Sequence, residues 1–304
     1  MSMLITGGAV VGNIVLAPFL IFGIGPFPRM EVAGSAIATV VCQGGAVLVY
    51  AILLARRHPD LPIRTASLRK LDFVTIGSLV SVGAPYCAIG IVFSGVYLWY
   101  AHLASFFGEF AVAIIGIANR LESITYLTGD GFAVAASAFV GQNLGAGNKR
   151  RAEQGAWRAV GIMSMIGAAI GLIMLVFPEP LLLIFTRDPE ALRLGVPYVR
   201  ILAICQVLTG VETSIGGGFA GAGDTLPPLA IHAAFAVLRF PLASWAVFGL
   251  GLGVYGIAWT MSITCVIRGI ILTLWFRRGK WKENVLPGSR RPLPSAEEPE
   301  PTGV

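Results

Sequence analysis

Asn119, Glu122, Tyr126 and Asp130 follow one another at spacings of three, four and four inside an otherwise apolar stretch. On a helix this spacing puts all four on one face, with the two acids about 12 Å apart along the axis. An ionisable group in lipid costs about 2.5–3.5 kcal/mol on insertion scales. A polar stripe of this kind suits the wall of a water-accessible cavity that binds a cation or a cationic substrate. It equally suits a hydrogen-bonding seam between helices. Arg120 lies on another face and is a poor local partner for Glu122.

A second group is Thr209 with Glu212, three residues apart and followed by Gly216-Gly217-Gly218. Successive glycines allow close backbone approach or a bend, and an acid beside such a point could hold a cation. The alternative is a packing helix whose carboxylate pairs with Arg200 or Arg239. Arg200 and Arg268 stand towards helix ends and are expected to snorkel. Arg239 is more central and requires a partner that the sequence does not identify.

The elements that must carry these residues are membrane helices. The chain is 56% hydrophobic and 12% charged, about half the charge density of a soluble domain. The predicted fold is all-α and polytopic, with eight apolar runs near 3–25, 33–55, 73–101, 112–138, 155–177, 196–219, 228–250 and 254–276. Each exceeds the ~20 residues a bilayer core demands. The runs are too long and too little alternating for strands. The first lacks a preceding positive charge and is interrupted by Asn13 and Pro18, unlike a signal peptide.

Fourteen Lys and Arg residues fall in the segments after even-numbered helices and in the tail, against Arg29, Arg187 and Arg193 on the other side. The basic side is expected to be cytoplasmic, with both termini inside, in the plasma membrane. The net charge of +6 is then a topology signal rather than a nucleic-acid footprint. Cys42, Cys87, Cys205 and Cys265 lie in apolar runs without metal-type spacing and read as small buried hydrophobes. His58, His102 and His232 are isolated. The Ala220–Thr225 segment lacks the Lys of a phosphate loop and no strand precedes it, so neither an enzyme nor direct ATP drive is indicated.

The second and last helices resemble one another. Phe22-Gly23-Ile24-Gly25 parallels Phe248-Gly249-Leu250-Gly251, and Val32, Gly34 and Ala36 parallel Val254, Gly256 and Ala258, at offsets of 226 and 222. Both helices end in paired arginines, Arg56-Arg57 and Arg277-Arg278, at an offset of 221. Such duplication is common in transporters. It predicts residues 1–57 as the last two helices of an incomplete amino-terminal lobe and 58–72 as a cytoplasmic linker. A six-helix carboxy-terminal lobe follows at 73–282, then a disordered tail at 283–304. The first unit would begin about 164 residues before Met1, making the chain a fragment that lacks four helices.

The segment Ala138-Phe139-Val140-Gly141-Gln142-Asn143-Leu144-Gly145-Ala146-Gly147-Asn148, followed by Arg151-Ala152, closely resembles the signature of the multidrug and toxic compound extrusion family. Gly141, Gly145 and Gly147, with Gln142 and Asn143 between them, are read as a structural loop in which the chain leaves one helix and turns. Asn119-Arg120-Leu121-Glu122-Ser123, Gly221–Thr225, Arg239–Ala243 and Gly256-Ile257-Ala258 resemble further family segments, in the family's order. The resemblance spans about residues 5–280 and implies helices five to twelve of twelve, in two lobes. It implies a secondary antiporter that exports bulky, often cationic drug-like compounds against sodium or protons by alternating access, without a cofactor or resident metal. The bilayer and the missing lobe are its only other implied partners. Residues 73–108 hold no Asp or Glu where one branch of the family carries an acid, and Asp130 departs from the pattern. The candidate substrate and cation residues are therefore Glu122, Asp130, Glu212, Asn119, Tyr126 and Thr209. A non-transporting remnant and a flippase for lipid-linked substrates are the alternatives.

Overall fold

The computed structural model describes residues 2–57 and 90–283. The chain divides into two compact units, Met1–Leu79 and Val80–Val304. The predicted linker, Cys87, His58, the start of the third predicted span and the tail lie outside the described residues.

The first unit is a helical hairpin of α1 (Ser2–Phe22) and α2 (Glu31–Arg57). Gly34 makes the hairpin tight, since a Cβ there would stand 2.5 Å from the Leu20 carbonyl oxygen. Gly23 at φ +70° starts the turn, and the Met30 amide returns to the Leu20 carbonyl at 3.0 Å. Asn13 and Thr39 then meet across the hairpin, with Asn13 Nδ2 donating to Thr39 Oγ1 at 3.3 Å.

The second unit runs α3 (described over 90–105), α4 (Glu109–Gly145), α5 (Lys149–Val176), a short α6 (Pro178–Leu183), α7 (Pro189–Ala203), α8 (Gln206–Gly221), α9 (Leu226–Ser244) and α10 (Val254–Arg277). Six described helices are long and apolar enough to cross a membrane, seven if the bent α7–α8 pair is one span. The third predicted run is only partly described.

Packing follows small residues. Gly129, Ala133 and Ser137 on α4 meet Thr213, Gly217 and Gly221 on α8, a four-residue ladder on both helices. In lipid, where apolar side chains gain nothing by leaving their surroundings, such close backbone contact is what holds helices together. On its other side α8 is approached by α5, where a Cβ at Gly210 would lie 3.0 Å from the Met163 carbonyl oxygen. Of the triple glycine, Gly217 packs on Ala133 and Gly218 on Phe276, and α8 is continuous through all three.

The bend occurs earlier. The predicted continuous run 196–219 is broken at Ile204–Cys205, where α7 and α8 meet at 47°. At the break the ladder tightens, Ile204 N bonding to Ile201 O at 3.4 Å and Cys205 N to Leu202 O at 3.3 Å, and side chains add to the same carbonyls. Gln206 Nε2 and Cys205 Sγ donate to Leu202 O at 3.0 and 3.2 Å, and Ser262 Oγ donates to Ile201 O at 2.8 Å. A break in lipid needs such partners, and these side chains supply them where the glycines could not.

The signature segment also differs from expectation. Gly141, Gln142, Asn143 and Gly145 remain within α4, which runs seven residues beyond the predicted end at 138. Gly141 serves as a contact, a Cβ there lying 3.2 Å from the Gly221 carbonyl oxygen. Gly147 alone takes the left-handed turn, at φ +76°, and Asn148 N closes it on Asn143 O at 2.8 Å. A helix ends where its ladder is replaced, and glycine merely permits this.

Two apolar clusters fill the unit at different levels. One gathers the start of α4, α7, the end of α9 and the start of α10 around Tyr198 and Ile257. The other gathers the end of α4, the start of α5 and the ends of α8 and α10 around Phe219 and Phe276. Trp281 closes the second, stacked on Phe276 at 4.6 Å with Nε1 donating to the Phe276 carbonyl at 2.9 Å. The stretches of α4, α8 and α10 between the clusters carry the polar residues.

Candidate functional site

A cavity of about 420 Å³ opens at this intermediate level, within the 300–1,000 Å³ range of small-molecule sites. All six candidates from the sequence line it: Asn119, Glu122, Tyr126 and Asp130 from α4, Thr209 and Glu212 from α8. The helical spacing places the first four. The break at Ile204–Cys205 aims the start of α8, and hence Thr209 and Glu212, at the same space.

The acids sit in different surroundings. Asp130 is exposed, whereas Glu122 is 9% and Glu212 4% exposed. Glu212 is held by two bases, its Oε1 lying 2.5 Å from His232 Nε2 and 2.8 Å from Arg268 Nε. His232 Nδ1 faces the Pro228 carbonyl at 2.6 Å. A carbonyl only accepts, so Nδ1 carries a proton. The Arg268 guanidinium approaches Glu212 as an ion rather than as an aligned donor, because its Nε and Nη1 lack a hydrogen-bond partner.

These contacts correct two expectations. Arg268 does not snorkel but is buried, because Glu212 of α8 lies beside it. Glu212 pairs with neither Arg200, which is exposed, nor Arg239. Glu122 faces the Gln206 side chain and the Cys205 thiol, the latter at 4.0 Å. Among the described residues no Lys, Arg or His nitrogen lies within 4.0 Å of Glu122.

Arg239 of α9 is 4% exposed and also lines the cavity. Its Nε donates to Thr264 Oγ1 at 2.9 Å, and its guanidinium carbon stands 5.9 Å from the Phe93 ring centre. Thr264 is thus the partner left open by the sequence, and it is neutral.

Sequence reasoning missed His232, Arg268, Cys205 and Cys265, all of which line the cavity. The two cysteines are buried as expected, yet each thiol lies 4.0 Å from a carboxylate, Cys205 from Glu122 and Cys265 from Glu212. Thr209 Oγ1 lies 3.2 Å from Cys265 Sγ. A signal existed: His232 and Arg239 are seven residues apart, and Met261, Cys265 and Arg268 follow a four-and-three spacing, each set on one helix face.

The MatE family model matches residues 85–245, which include α4, α8 and most of the cavity wall. A probable multidrug resistance protein NorM of Thermotoga maritima is 31% identical over 289 residues, covering 93% of this chain and 61% of the relative. An FAD transporter of Shewanella oneidensis is 26% identical over 270 residues, covering 88% of this chain and 59% of the relative. The solved outward-facing structure of a multidrug resistance MATE family transporter has the same fold, with a TM-score of 0.80 at 22% identity over 93% of this chain and 63% of that one. The chain thus spans about three-fifths of the length of these relatives. The family model, the matching fold and the helices long enough to span a bilayer agree: this multi-pass membrane protein belongs to the MatE family of transporters.

Proposed function

We propose that this chain forms the carboxy-terminal part of a secondary multidrug exporter that exchanges a bulky, often cationic compound for sodium or protons. The relative named multidrug resistance protein NorM supports this reading. The observation that carries it is Glu122, a buried acid on a cavity wall with no described base within 4.0 Å. A buried carboxylate must be neutralised by a proton, a cation or a basic partner. In exchange transport the coupling ion and the substrate compete for one negative charge.

Glu122 is the central site in this reading. Asn119, Tyr126, Asp130 and Thr209 extend its polar surface, and Glu212 is the acid held in reserve by Arg268 and His232. Residues 1–57 are read as the last two helices of an amino-terminal lobe, 58–72 as a linker, 73–282 as a six-helix lobe and 283–304 as a tail. Both termini are read as cytoplasmic, because the basic residues gather on that side.

The test is efflux of ethidium under an imposed ion gradient by a full-length protein that contains this chain. Glu122→Gln is expected to abolish gradient-driven efflux while expression and membrane insertion remain normal. Undiminished efflux by Glu122→Gln, Asp130→Asn and Glu212→Gln, each made singly, would reduce these acids to packing residues.

A further inference from the structure

We infer that a second cavity, at the junction of α4 and α5, binds the phosphate headgroup of an anionic phospholipid. It measures about 430 Å³, and Arg150, Arg151 and Arg158 line it together with Asn148 and Gln154. It shares no lining residue with the cavity described above, so the inference stands apart from the exporter reading.

The spacing on α5 builds the site. Arg151, Gly155 and Arg158 follow one another at four and three residues, so they share a helix face about 10 Å long. A Cβ at Gly155 would run into the Phe139 ring, so glycine lets that ring close on the α5 backbone as an apolar floor. The arginines around it are unmatched. Among the described residues none of the three has a carboxylate within 4.0 Å. Glu153, the one acid among residues 149–158, is engaged instead by Lys282 at 2.7 Å. The first turn of α5 carries no acid, although the macrodipole favours negative charge at that end. Three guanidiniums at one cavity call for an anion, and their forked donors fit the oxygens of a phosphate.

Depth along the helix selects a lipid over a free anion. Residues 159–176 carry no charge and span about 27 Å, close to the ~30 Å of a hydrocarbon core. Arg158 therefore stands at the border of that core, with Arg150 and Arg151 at headgroup depth. Basic pockets between membrane helices bind anionic headgroups at this level. On the same face of α5, Ile162, Met165 and Leu172 continue the helical spacing from Arg158 and are 44%, 67% and 60% exposed. A phosphate held by the arginines would lay its acyl chains along this apolar track, which a soluble phosphate could not use.

The experiment titrates lipids into a detergent-purified full-length protein that contains this chain and counts bound lipid by native mass spectrometry. Phosphatidylglycerol is expected to bind about 10- to 100-fold more tightly than phosphatidylcholine, the range of one hydrogen bond to a charged group. Arg151→Gln with Arg158→Gln should bring that ratio close to one. Arg277→Gln with Arg278→Gln, which removes equal charge from the exposed end of α10, should leave it unchanged. Equal binding of both lipids by the unmodified protein overturns the inference. So does an equal fall of the ratio in both double variants, which would show diffuse surface charge only. Displacement of phosphatidylglycerol by inorganic phosphate at equal concentration overturns it too, by making the occupant the free anion. Basic residues also orient helices, so Arg151→Lys with Arg158→Lys keeps the charge should the glutamine pair not insert. Lysine lacks the fork, so the lysine pair should lose part of the ratio, and an unchanged ratio there would overturn the site.

Discussion

The α1–α2 hairpin of the first unit and the α9–α10 hairpin of the second share one backbone design. In the first, Ile24 N bonds to Phe19 O at 3.1 Å; in the second, Leu250 N bonds to Trp245 O at 3.0 Å, the same pair at an offset of 226. Met30 N reaches Leu20 O at 3.0 Å, and Leu252 N reaches Ala246 O at 3.3 Å. Gly34 is pressed on the Leu20 carbonyl as Gly256 is on that of Ala246. In the second hairpin the turn is entered through a π-type turn over Trp245–Gly249, the kind of irregularity often found at functional positions.

The side chains on this common frame differ. At the shared offset of 226, Asn13 stands where α9 has Arg239 and Thr6 where it has His232. At the offset of 222, Ala46 stands where α10 has Arg268. Every charge on the cavity side of the second hairpin is thus a small or neutral residue in the first. Turn geometry and cavity chemistry vary independently: close glycine contacts set the first, and the second depends on what faces the hairpin. Arg268 and His232 are accommodated because Glu212 of α8 stands between them. Among the described residues α1 and α2 meet no such acid, and their one ion pair is at the exposed turn, Arg29 with Glu31 at 3.3 Å.

The sharpest way to test that separation is to remove one member of the buried pair. Glu212→Gln leaves Arg268 charged and uncompensated, and a broken buried pair costs about 3–5 kcal/mol. Thermal unfolding in detergent should show a large drop for Glu212→Gln. The double change Glu212→Gln with Arg268→Met, which removes both charges, should recover most of it. A double variant no more stable than the single would mean that the two side chains do not act as a pair.

The shared turn gives the next effect in size. A Cβ at Gly256 would lie 2.8 Å from the Ala246 carbonyl carbon, and one at Gly34 2.6 Å from that of Leu20. Backbone cannot yield as a side-chain tip does, so Gly256→Val and Gly34→Val should each cost about 1–3 kcal/mol, the usual range for overpacking. The same unfolding assay compares them. If one hairpin tolerated valine freely, the equivalence of the two turns would fail.

The smallest effect belongs to the neutral hairpin. Asn13→Ala removes one hydrogen bond, Asn13 Nδ2 to Thr39 Oγ1 at 3.3 Å, and side-chain bonds between membrane helices average about 0.6 kcal/mol. A loss of several kcal/mol on the same assay would show that the first hairpin carries its own buried polar centre, contrary to the contrast drawn above.

Much of this was legible in the chain itself. Helix positions were readable because lipid permits few alternatives to a long apolar helix, and the runs at 33–55 and 254–276 lie within Glu31–Arg57 and Val254–Arg277. The stripe Asn119, Glu122, Tyr126 and Asp130 was readable because a helix alone decides which of its own residues share a face. The bend at Ile204–Cys205 was not, since it is stabilised by Ser262 and Thr125 from other helices, the latter donating to Gln206 Oε1 at 2.6 Å. Glycine composition pointed to Gly216-Gly217-Gly218, but composition cannot tell a hinge from a contact face.

Sequence by itself determined the membrane class, the duplicated hairpin and the candidate acids, because apolar length, periodicity and glycine spacing act within one element or one repeat. Only the tertiary structure decided the state of each charge. Glu212 lies on α8, His232 on α9 and Arg268 on α10. Nothing local to any of them specifies that they meet, or that among the described residues Glu122 and Arg239 have no ion pair within 4.0 Å. Coulombic pairing depends on separations of a few ångströms in space, and those separations exist only once the helices have packed.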